Sequence, residues 1–253
     1  MHHVVLERWS RGASALHRRD PRAKIAALLV LLVVLATAER ALPALALALF
    51  LLLCAAAVWA KLPLAGALLR AGIVLPFSAL FAAVCWMAGD PARGAALLLK
   101  SYLCSLAVLL VVSTTPLPVL LRGLEMAGVP RFLLMVAQFL YRYLFVISEE
   151  AQHMAKAAAS RGGGEGMSAW VGLVRQPARS TNRFRAAAGA LAVLFARSFG
   201  RAEDIHRAML ARGFEGHFRT LTTLHFRTGD ACFAVLGSLA PVILRMAVER
   251  AVR

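Results

Sequence analysis

Two stretches of this sequence end a helix-forming run with a small residue, an arginine and a glycine. Their members are Ala159, Ser160, Arg161 and Gly162 in the first stretch, and Ala211, Arg212 and Gly213 in the second. When the two arginines are aligned, both stretches carry a basic residue five positions upstream, Lys156 and Arg207. Both also carry an alanine four positions upstream. The repetition raises the question of what two such helix ends do in one chain.

An arginine at a helix end can be structural or functional. The partial negative charge at the C-terminus of a helix favours a cation there, and a glycine after it is a common cap. A guanidinium is also a planar fork that can hold a carboxylate through two charge-assisted hydrogen bonds. Small residues before the arginine keep the helix end slim enough to enter a groove. One such ending is typical of capping, whereas two matched endings favour docking on two equivalent sites, as on a pseudo-symmetric dimer.

The composition is that of a polytopic membrane protein with a basic side. The chain has 253 residues, of which 60% are hydrophobic, a mean hydropathy of +0.70 and a formal net charge of +16. Long apolar runs predict an all-α fold with about five transmembrane helices. The predicted spans are 25–38, 41–60, 71–88, 95–114 and 231–248. Pro76 should kink the third span or free a carbonyl, and Lys100 should snorkel to the interface or pair inside the bundle.

Charge places the N-terminus in the cytoplasm, because basic residues outnumber acidic ones at the start of the chain and such segments stay on the cytoplasmic side. The predicted regions are a basic cytoplasmic segment at 1–24, a membrane domain of about four spans at 25–114, a cytoplasmic coupling-helix region at 115–227, and a last transmembrane helix with the C-terminus at 228–253. This topology places the C-terminus outside. Three arginines near that end conflict with the charge rule, so the side of the C-terminus stays open.

The region after the fourth span is helical in its period but basic. Residues 130–160 should form one long helix, and residues 183–212 repeat apolar side chains at the spacing of one helical face. Glycines should end both helices. Glu150 could pair with Arg142, pair with the second long helix, or be solvated. The sequence therefore predicts long amphipathic cytoplasmic helices that are joined by helix breakers.

Polar residues near the first span have a structural and a functional interpretation. Asp20 should cap the first helix, with Pro21 at its first position and Arg22 and Lys24 at the lipid head groups. Alternatively, Asp20, Pro21 and Arg22 form a contact with a partner. Neither the histidines nor the four cysteines have the spacing of a ligand set, so no metal site and no cofactor is assigned to this chain.

Several stretches resemble one family of membrane proteins. They are LHRRDPRAKI before the first span, QFLYRYLFVISEEAQHMAKAAASRG, AEDIHRAMLARGFEGHFRTL and the late apolar span. Over nearly its whole length the chain is similar to the transmembrane T component of energy-coupling factor (ECF) transporters, closest to the CbiQ type of cobalt and nickel uptake systems. In that family two Ala-Arg-Gly motifs end cytoplasmic coupling helices. Residues 160–162 and 211–213 take those positions here, with Ser160 in place of alanine.

The resemblance implies a non-catalytic subunit of a multi-pass importer in the cell inner membrane. Each motif would dock on one of two ABC ATPase subunits, and ATP and magnesium would be bound by those subunits. The chain would pass their motion to a membrane-embedded S component that binds the substrate and is reoriented. Cobalt or nickel is the substrate expected from this branch, with a vitamin as the alternative, because the unidentified S component makes the selection.

Two other functional classes compete with this interpretation. An enzyme is disfavoured because no lysine follows a glycine, which excludes a Walker A loop, and no H-E-x-x-H or G-x-S-x-G motif occurs. A membrane-anchored basic protein that binds anionic lipid or nucleic acid fits the charge. It does not require the paired Arg-Gly ends, so nucleic acid is not predicted as a partner.

Overall fold

The computed structural model describes residues 9–10, 12, 14–38, 42–160, 181–216 and 228–251. Within these ranges the chain is α-helical without strands, which confirms the predicted all-α class. The helices are α1 Pro21–Thr37, α2 Leu42–Trp59, α3 Leu64–Ala71, α4 Leu75–Met87, α5 Pro91–Thr114, α6 Leu117–Met126, α7 Arg131–Ser160, α8 Thr181–Ala211 and α9 Thr228–Ala251.

These helices belong to two compact units. The first, here called the bundle, comprises residues 1–129 and 221–253 and contains α1 to α6 and α9. The second, here called the arms, comprises residues 130–220 and contains α7 and α8. The helical stretches long and apolar enough to cross a membrane are Leu64–Met87, Pro91–Thr114, Arg131–Ala157 and Thr228–Arg250, and Pro43–Trp59 is apolar but shorter.

The third span differs from its prediction. It begins at Leu64, because α3 lies between the predicted second and third spans, and a 3-10 turn at Gly72–Val74 joins α3 to α4. Pro76 has no N–H to donate to the carbonyl four residues earlier, and the Leu75 N–H donates to that Gly72 oxygen instead. Pro76 therefore stands in the first turn of α4, where a proline is tolerated, rather than inside a kinked helix.

Helix α7 is also more apolar than the sequence prediction assumed. The sequence predicts a cytoplasmic helix here, yet residues 131–157 have the length and hydropathy of a membrane span. Large apolar side chains such as Phe132 and Leu140 are exposed on it. The cytoplasmic placement of region 115–227 stays a prediction.

The core of the bundle lies among α1, α2 and α5. Its most deeply buried leucines are Leu35, Leu45, Leu49, Leu103 and Leu106. Helices in lipid associate through close van der Waals packing, which favours small residues at their contacts. Gly94 of α5 is such a residue, because a Cβ atom there would lie 2.9 Å from the backbone oxygen of Ala82 in α4.

Helices α1 and α9 pack side by side and run parallel. At their starts the Asp20 N–H donates to Asp230 Oδ1 at 3.3 Å, and at their ends Arg245 donates to Thr37 O at 3.2 Å. The end of α9 therefore lies at the same end of the bundle as the end of α1. Arg245, one of the arginines that conflict with the charge rule, also pairs with Glu249 at 2.8 Å, so its charge is compensated within the bundle.

Two lysines of the bundle are bonded internally. Lys24, expected at the head groups, is only 3% exposed and donates to Thr114 O at 3.0 Å and to Thr115 Oγ1 at 2.8 Å. Lys100 donates to Ala36 O at 3.1 Å, in the last turn of α1, where carbonyls have no partner within the helix. The expected anchoring of Lys24 is wrong, and pairing is the observed alternative for Lys100.

Candidate docking site

Helix α8 ends at Ala211 with a cap that explains the glycine of the second motif. The N–H of Gly213 donates to Leu210 O at 3.0 Å, and the N–H of Phe214 donates to Met209 O at 3.1 Å. This pair of bonds is a Schellman cap, which requires a left-handed residue at Gly213, and its φ is +75°. A side chain in that conformation costs roughly 1–2 kcal/mol. Capping alone therefore accounts for Gly213.

The same cap follows two helices that carry no arginine at this place. Gly89 after α4 and Gly128 after α6 have φ values of +85° and +95°. In both cases the following residue donates its N–H back to the last turn of the helix. Alanine precedes each of these glycines, whereas Arg212 precedes Gly213. Arg212 is therefore the residue that distinguishes the end of α8 from the ends of α4 and α6.

Arg212 lies on the wall of an open pocket of ≈ 630 Å³ between α7 and α8. The other lining residues are Phe139, Arg142 and Tyr143 of α7, Ile205, Ala208 and Met209 of α8, and Gly213, Phe214 and Glu215 after it. The end of α8 thus lies beside the first half of α7. It is not the free, slim tip that the sequence suggested, because aromatic side chains flank it.

The pocket combines apolar walls with cations. Phe139 and Tyr143 stand one turn apart with ring centroids 6.1 Å from each other, and Met209 faces them from α8. Arg212 is exposed, and its guanidinium makes no ion pair within the described part of the chain. The Arg142 guanidinium lies 5.7 Å from the centre of the Tyr143 ring. The carboxylate of Glu215 also lines the pocket, so two guanidiniums stand against one carboxylate. This excess of cations beside apolar walls suits a partner segment that carries a carboxylate next to an apolar side chain.

An ion pair joins the two arms farther along. Arg197 of α8 contacts Glu150 of α7 at 2.6 Å, so pairing with the second long helix is the observed alternative for Glu150. Together with the pocket, this contact shows that α7 and α8 run antiparallel. The Arg197 side chain is 59% exposed, and exposed pairs of this kind contribute less than about 1 kcal/mol to stability. The pair therefore shows which turns of α7 and α8 lie side by side and adds little to stability.

The first motif is described only in part. Arg161 and Gly162 lie outside the described residues, as does the side chain of Ala159. Ser160, the last residue of α7, is exposed, and its hydroxyl donates to Ala157 O at 2.9 Å. The hydroxyl that departs from the Ala-Arg-Gly pattern is therefore bonded to its own helix. Docking through the first motif stays a prediction.

Asp20, Pro21 and Arg22 serve the start of α1. The buried Asp20 carboxylate accepts the Arg22 N–H at 2.9 Å, which confirms the predicted cap. Pro21 packs against Gly123 of α6, and the Arg22 guanidinium contacts the sulfur of Met126. These contacts lie within the bundle and support the structural interpretation, and a contact with a partner stays a prediction.

The aromatic half of the pocket was not found from the sequence. Phe139 and Tyr143 are spaced by one helical turn, with Arg142 just before Tyr143, and this spacing was the only available signal. It could not be assigned to a site, because nothing in the sequence says which part of α7 packs beside the end of α8.

Comparison with known proteins identifies the family. Residues 12–224 match the family CbiQ, cobalt transport protein. One curated relative, the cobalt transport protein CbiQ of Rhodobacter capsulatus, is 30% identical over 133 residues, which cover 53% of this chain and 49% of the relative. The chain thus spans about half the length of the curated relative it matches. With its long apolar helices it is a membrane protein. The match over residues 12–224 shows that the chain belongs to the CbiQ family of cobalt transport proteins.

Proposed function

We propose that this chain is the transmembrane energy-coupling subunit of an ECF-type ABC importer. The observation that carries the proposal is the exposed guanidinium of Arg212 beside an apolar pocket between two long helices. Membership of a cobalt transport family supports the transport setting. The proposed docking partners are two ABC ATPase subunits, and the chain itself carries out no catalytic step.

In the proposed mechanism Arg212 holds a carboxylate of one ATPase subunit through charge-assisted hydrogen bonds. An apolar side chain next to that carboxylate enters the pocket lined by Phe139 and Tyr143. The ATPase pair binds and hydrolyses ATP with magnesium and changes shape in doing so. Because α7 and α8 lie side by side at the pocket and at the Arg197–Glu150 pair, a displacement at Arg212 moves both arms together. The arms then reorient the S component, which holds the substrate.

The second ATPase subunit would dock on Arg161 in the same way. We assign the N-terminus to the cytoplasmic side of the cell inner membrane, because the basic N-terminal segment follows the charge rule. We assign the arms to the same side, because an even number of predicted spans, four, precedes residue 115. Cobalt is the favoured substrate, since the family and its relative carry that name. Nickel or a vitamin would follow from a different S component.

The partner assignment is tested by purifying the chain from its native membrane in mild detergent and identifying co-purifying proteins by mass spectrometry. An ABC ATPase pair and a small integral membrane protein are expected. Recovery of nucleic acid or anionic lipid without any ATPase would contradict the proposal.

The role of the two arginines is tested by uptake of radioactive cobalt into cells. Arg161→Ala combined with Arg212→Ala should abolish uptake and leave the amount of chain in the membrane unchanged. Arg201→Ala is the matched control, because Arg201 is also an exposed arginine of α8 but does not line the pocket. Normal uptake by the double variant would show that transport requires neither arginine.

A further inference from the structure

We propose that a polar cluster at the start of α1 fixes both chain connections between the arms and the bundle, so that motion driven at Arg212 is transmitted rather than lost. The cluster, here called the joint, consists of Arg19, Asp20, Lys24, Thr114, Thr115 and Asp230. They are positioning residues, because none of them lines the docking pocket. The inference rests on the proposed function, since it concerns how docking at Arg212 is passed on.

The chain connects the arms to the bundle twice. It leaves the bundle after α5 and α6 and enters it again at α9. Thr114 and Thr115 stand at the end of α5, where the first connection begins. Asp230 stands in the first turn of α9, where the second connection ends. A displacement of the arms that is carried along the chain therefore arrives at these two places.

Lys24 of α1 binds the first connection. Its ammonium group donates to Thr114 O at 3.0 Å and to Thr115 Oγ1 at 2.8 Å, and all three residues are at most 3% exposed. The Thr114 carbonyl belongs to the last turn of α5, where carbonyls have no partner within the helix. Helix α6 follows and packs on the same turn of α1, since a Cβ atom at Gly123 would lie 3.1 Å from Pro21. The end of α5 and α6 are thus both bound to the first turn of α1.

Arg19 and Asp20 bind the second connection at the same place. The Asp20 N–H donates to Asp230 Oδ1 at 3.3 Å, and the Arg19 guanidinium lies 3.6 Å from the same oxygen. Both aspartates are buried. The Asp20 carboxylate also accepts the Arg22 N–H and so belongs to the cap of α1. Residues 19–24 therefore contact both connections and fix the distance between them.

The charges of the joint compensate one another, because Arg19 and Lys24 face Asp20 and Asp230. A buried charged cluster adds little net stability compared with apolar side chains of the same volume, because desolvation offsets the attraction. It does favour one geometry, since hydrogen bonds are directional and hydrophobic burial is not. Net stability alone therefore explains such a cluster poorly, whereas a point of transmission requires a fixed geometry.

The opposite end of α1 has a similar set of bonds without the connections. There Arg245 of α9 donates to the Thr37 hydroxyl at 2.5 Å and pairs with Glu249 at 2.8 Å. At both ends a threonine hydroxyl accepts from a cation, and a carboxylate of α9 pairs with an arginine. Only the joint lies where the chain leaves for the arms and returns from them. Only changes at the joint should therefore alter coupling.

Coupling is measured as the number of ATP molecules hydrolysed per radioactive cobalt ion taken up by proteoliposomes that hold the chain, its ATPase pair and the S component. Thr115→Val removes one acceptor of Lys24 and preserves the size of the side chain. Asp230→Asn removes the charge beside Arg19. Each variant should raise the ratio about threefold at unchanged ATPase binding, because part of the motion is lost at a loosened connection.

Three variants serve as controls. Thr37→Val and Glu249→Gln make the corresponding changes at the opposite end of α1 and should leave the ratio unchanged. Thr115→Ser keeps the hydroxyl and should also leave it unchanged. An unchanged ratio for Thr115→Val or Asp230→Asn, or an equal rise in any control, would overturn the inference and leave the proposed function intact. Absence of an ATPase pair from the unmodified chain would contradict the proposed function, and the inference with it.

A second measurement uses the full chain alone in detergent and stays informative if the complex with a variant is not recovered. Substitutions at independent sites shift the thermal unfolding midpoint additively, whereas those in one network do not. Thr115→Val combined with Asp230→Asn should lower the midpoint by only about half of the summed single shifts, because either change already loosens the joint. Thr115→Val combined with Glu249→Gln should be additive. Additive shifts for the first pair would overturn the inference.

Discussion

The bonded cations of the bundle and the exposed Arg212 of the arms differ in what their donors contact. In the bundle, Lys24 and Lys100 donate to backbone carbonyls, and Arg245 donates to Thr37 and Glu249. In the arms, Arg212 is exposed and has no ionic partner among the described residues. The cations of the bundle thus hold its helices together, whereas the arms present a cation to solvent.

This difference shows why charge alone does not locate a functional site. A buried cation without partners is costly in a membrane, so an intramembrane lysine is expected to be bonded whether or not it has a function. A solvated arginine has no such requirement. The informative properties are therefore whether the donors of a cation are already used and whether the cation lies beside a pocket. Arg212 is exposed and lines the apolar pocket of the arms, whereas the exposed Arg201 does not line it.

The largest expected effect on stability follows from removing a bonded cation of the bundle. Lys24→Ala deletes two hydrogen bonds and leaves the nearby Asp20 and Asp230 without this cation. Breaking one side of a buried charged cluster costs about 3 kcal/mol, so the thermal unfolding temperature in detergent should fall markedly. Arg18→Ala, at an exposed position, should change the unfolding free energy by less than about 0.5 kcal/mol. Equal unfolding temperatures for the two variants would show that the bonded Lys24 contributes no more to stability than the exposed Arg18.

Replacing a glycine with alanine should lower the free energy of unfolding in the bundle and raise it in the arms. Gly94→Ala in the bundle places a Cβ atom 2.9 Å from the backbone oxygen of Ala82 and should destabilise the chain by about 1–3 kcal/mol through overpacking. Gly189→Ala in α8 meets nothing within 4 Å and should stabilise the helix by about 1 kcal/mol. Thermal unfolding of the two variants in detergent measures both effects. Destabilisation by Gly189→Ala would show that α8 packs more closely than its exposed surface indicates.

The ion pair between the arms should have the smallest effect on stability and a distinct effect on coupling. Arg197→Glu should change the unfolding free energy by less than about 1 kcal/mol, because the pair is largely exposed. If the pair fixes the position of the arms, the number of ATP molecules hydrolysed per ion transported should rise. Combining Arg197→Glu with Glu150→Arg should restore the ratio, and failure of this rescue would argue against a positioning role.

The sequence was sufficient to predict what depends on local interactions. Apolar runs and breakers located both long helices and the last span, and the Asp-Pro-Arg order located the cap of α1. The start of the third span was missed, because α3 and α4 join through a 3-10 turn that leaves no clear break in the apolar pattern. The hydrogen bonds of Lys24 and the aromatic side of the pocket depend on contacts between helices distant in sequence.

The central claim is that Arg212 docks an ATPase subunit independently of its role at the helix end. The most direct measurement compares the amount of ATPase that co-purifies per chain for Arg212→Glu and for Arg201→Glu. Both substitutions reverse one exposed charge of the same arm, and neither alters the glycine cap. The account predicts that Arg212→Glu loses about half of the bound ATPase, because one docking site of two is lost, whereas Arg201→Glu loses none. Equal retention of ATPase by both variants would show that Arg212 only ends a helix.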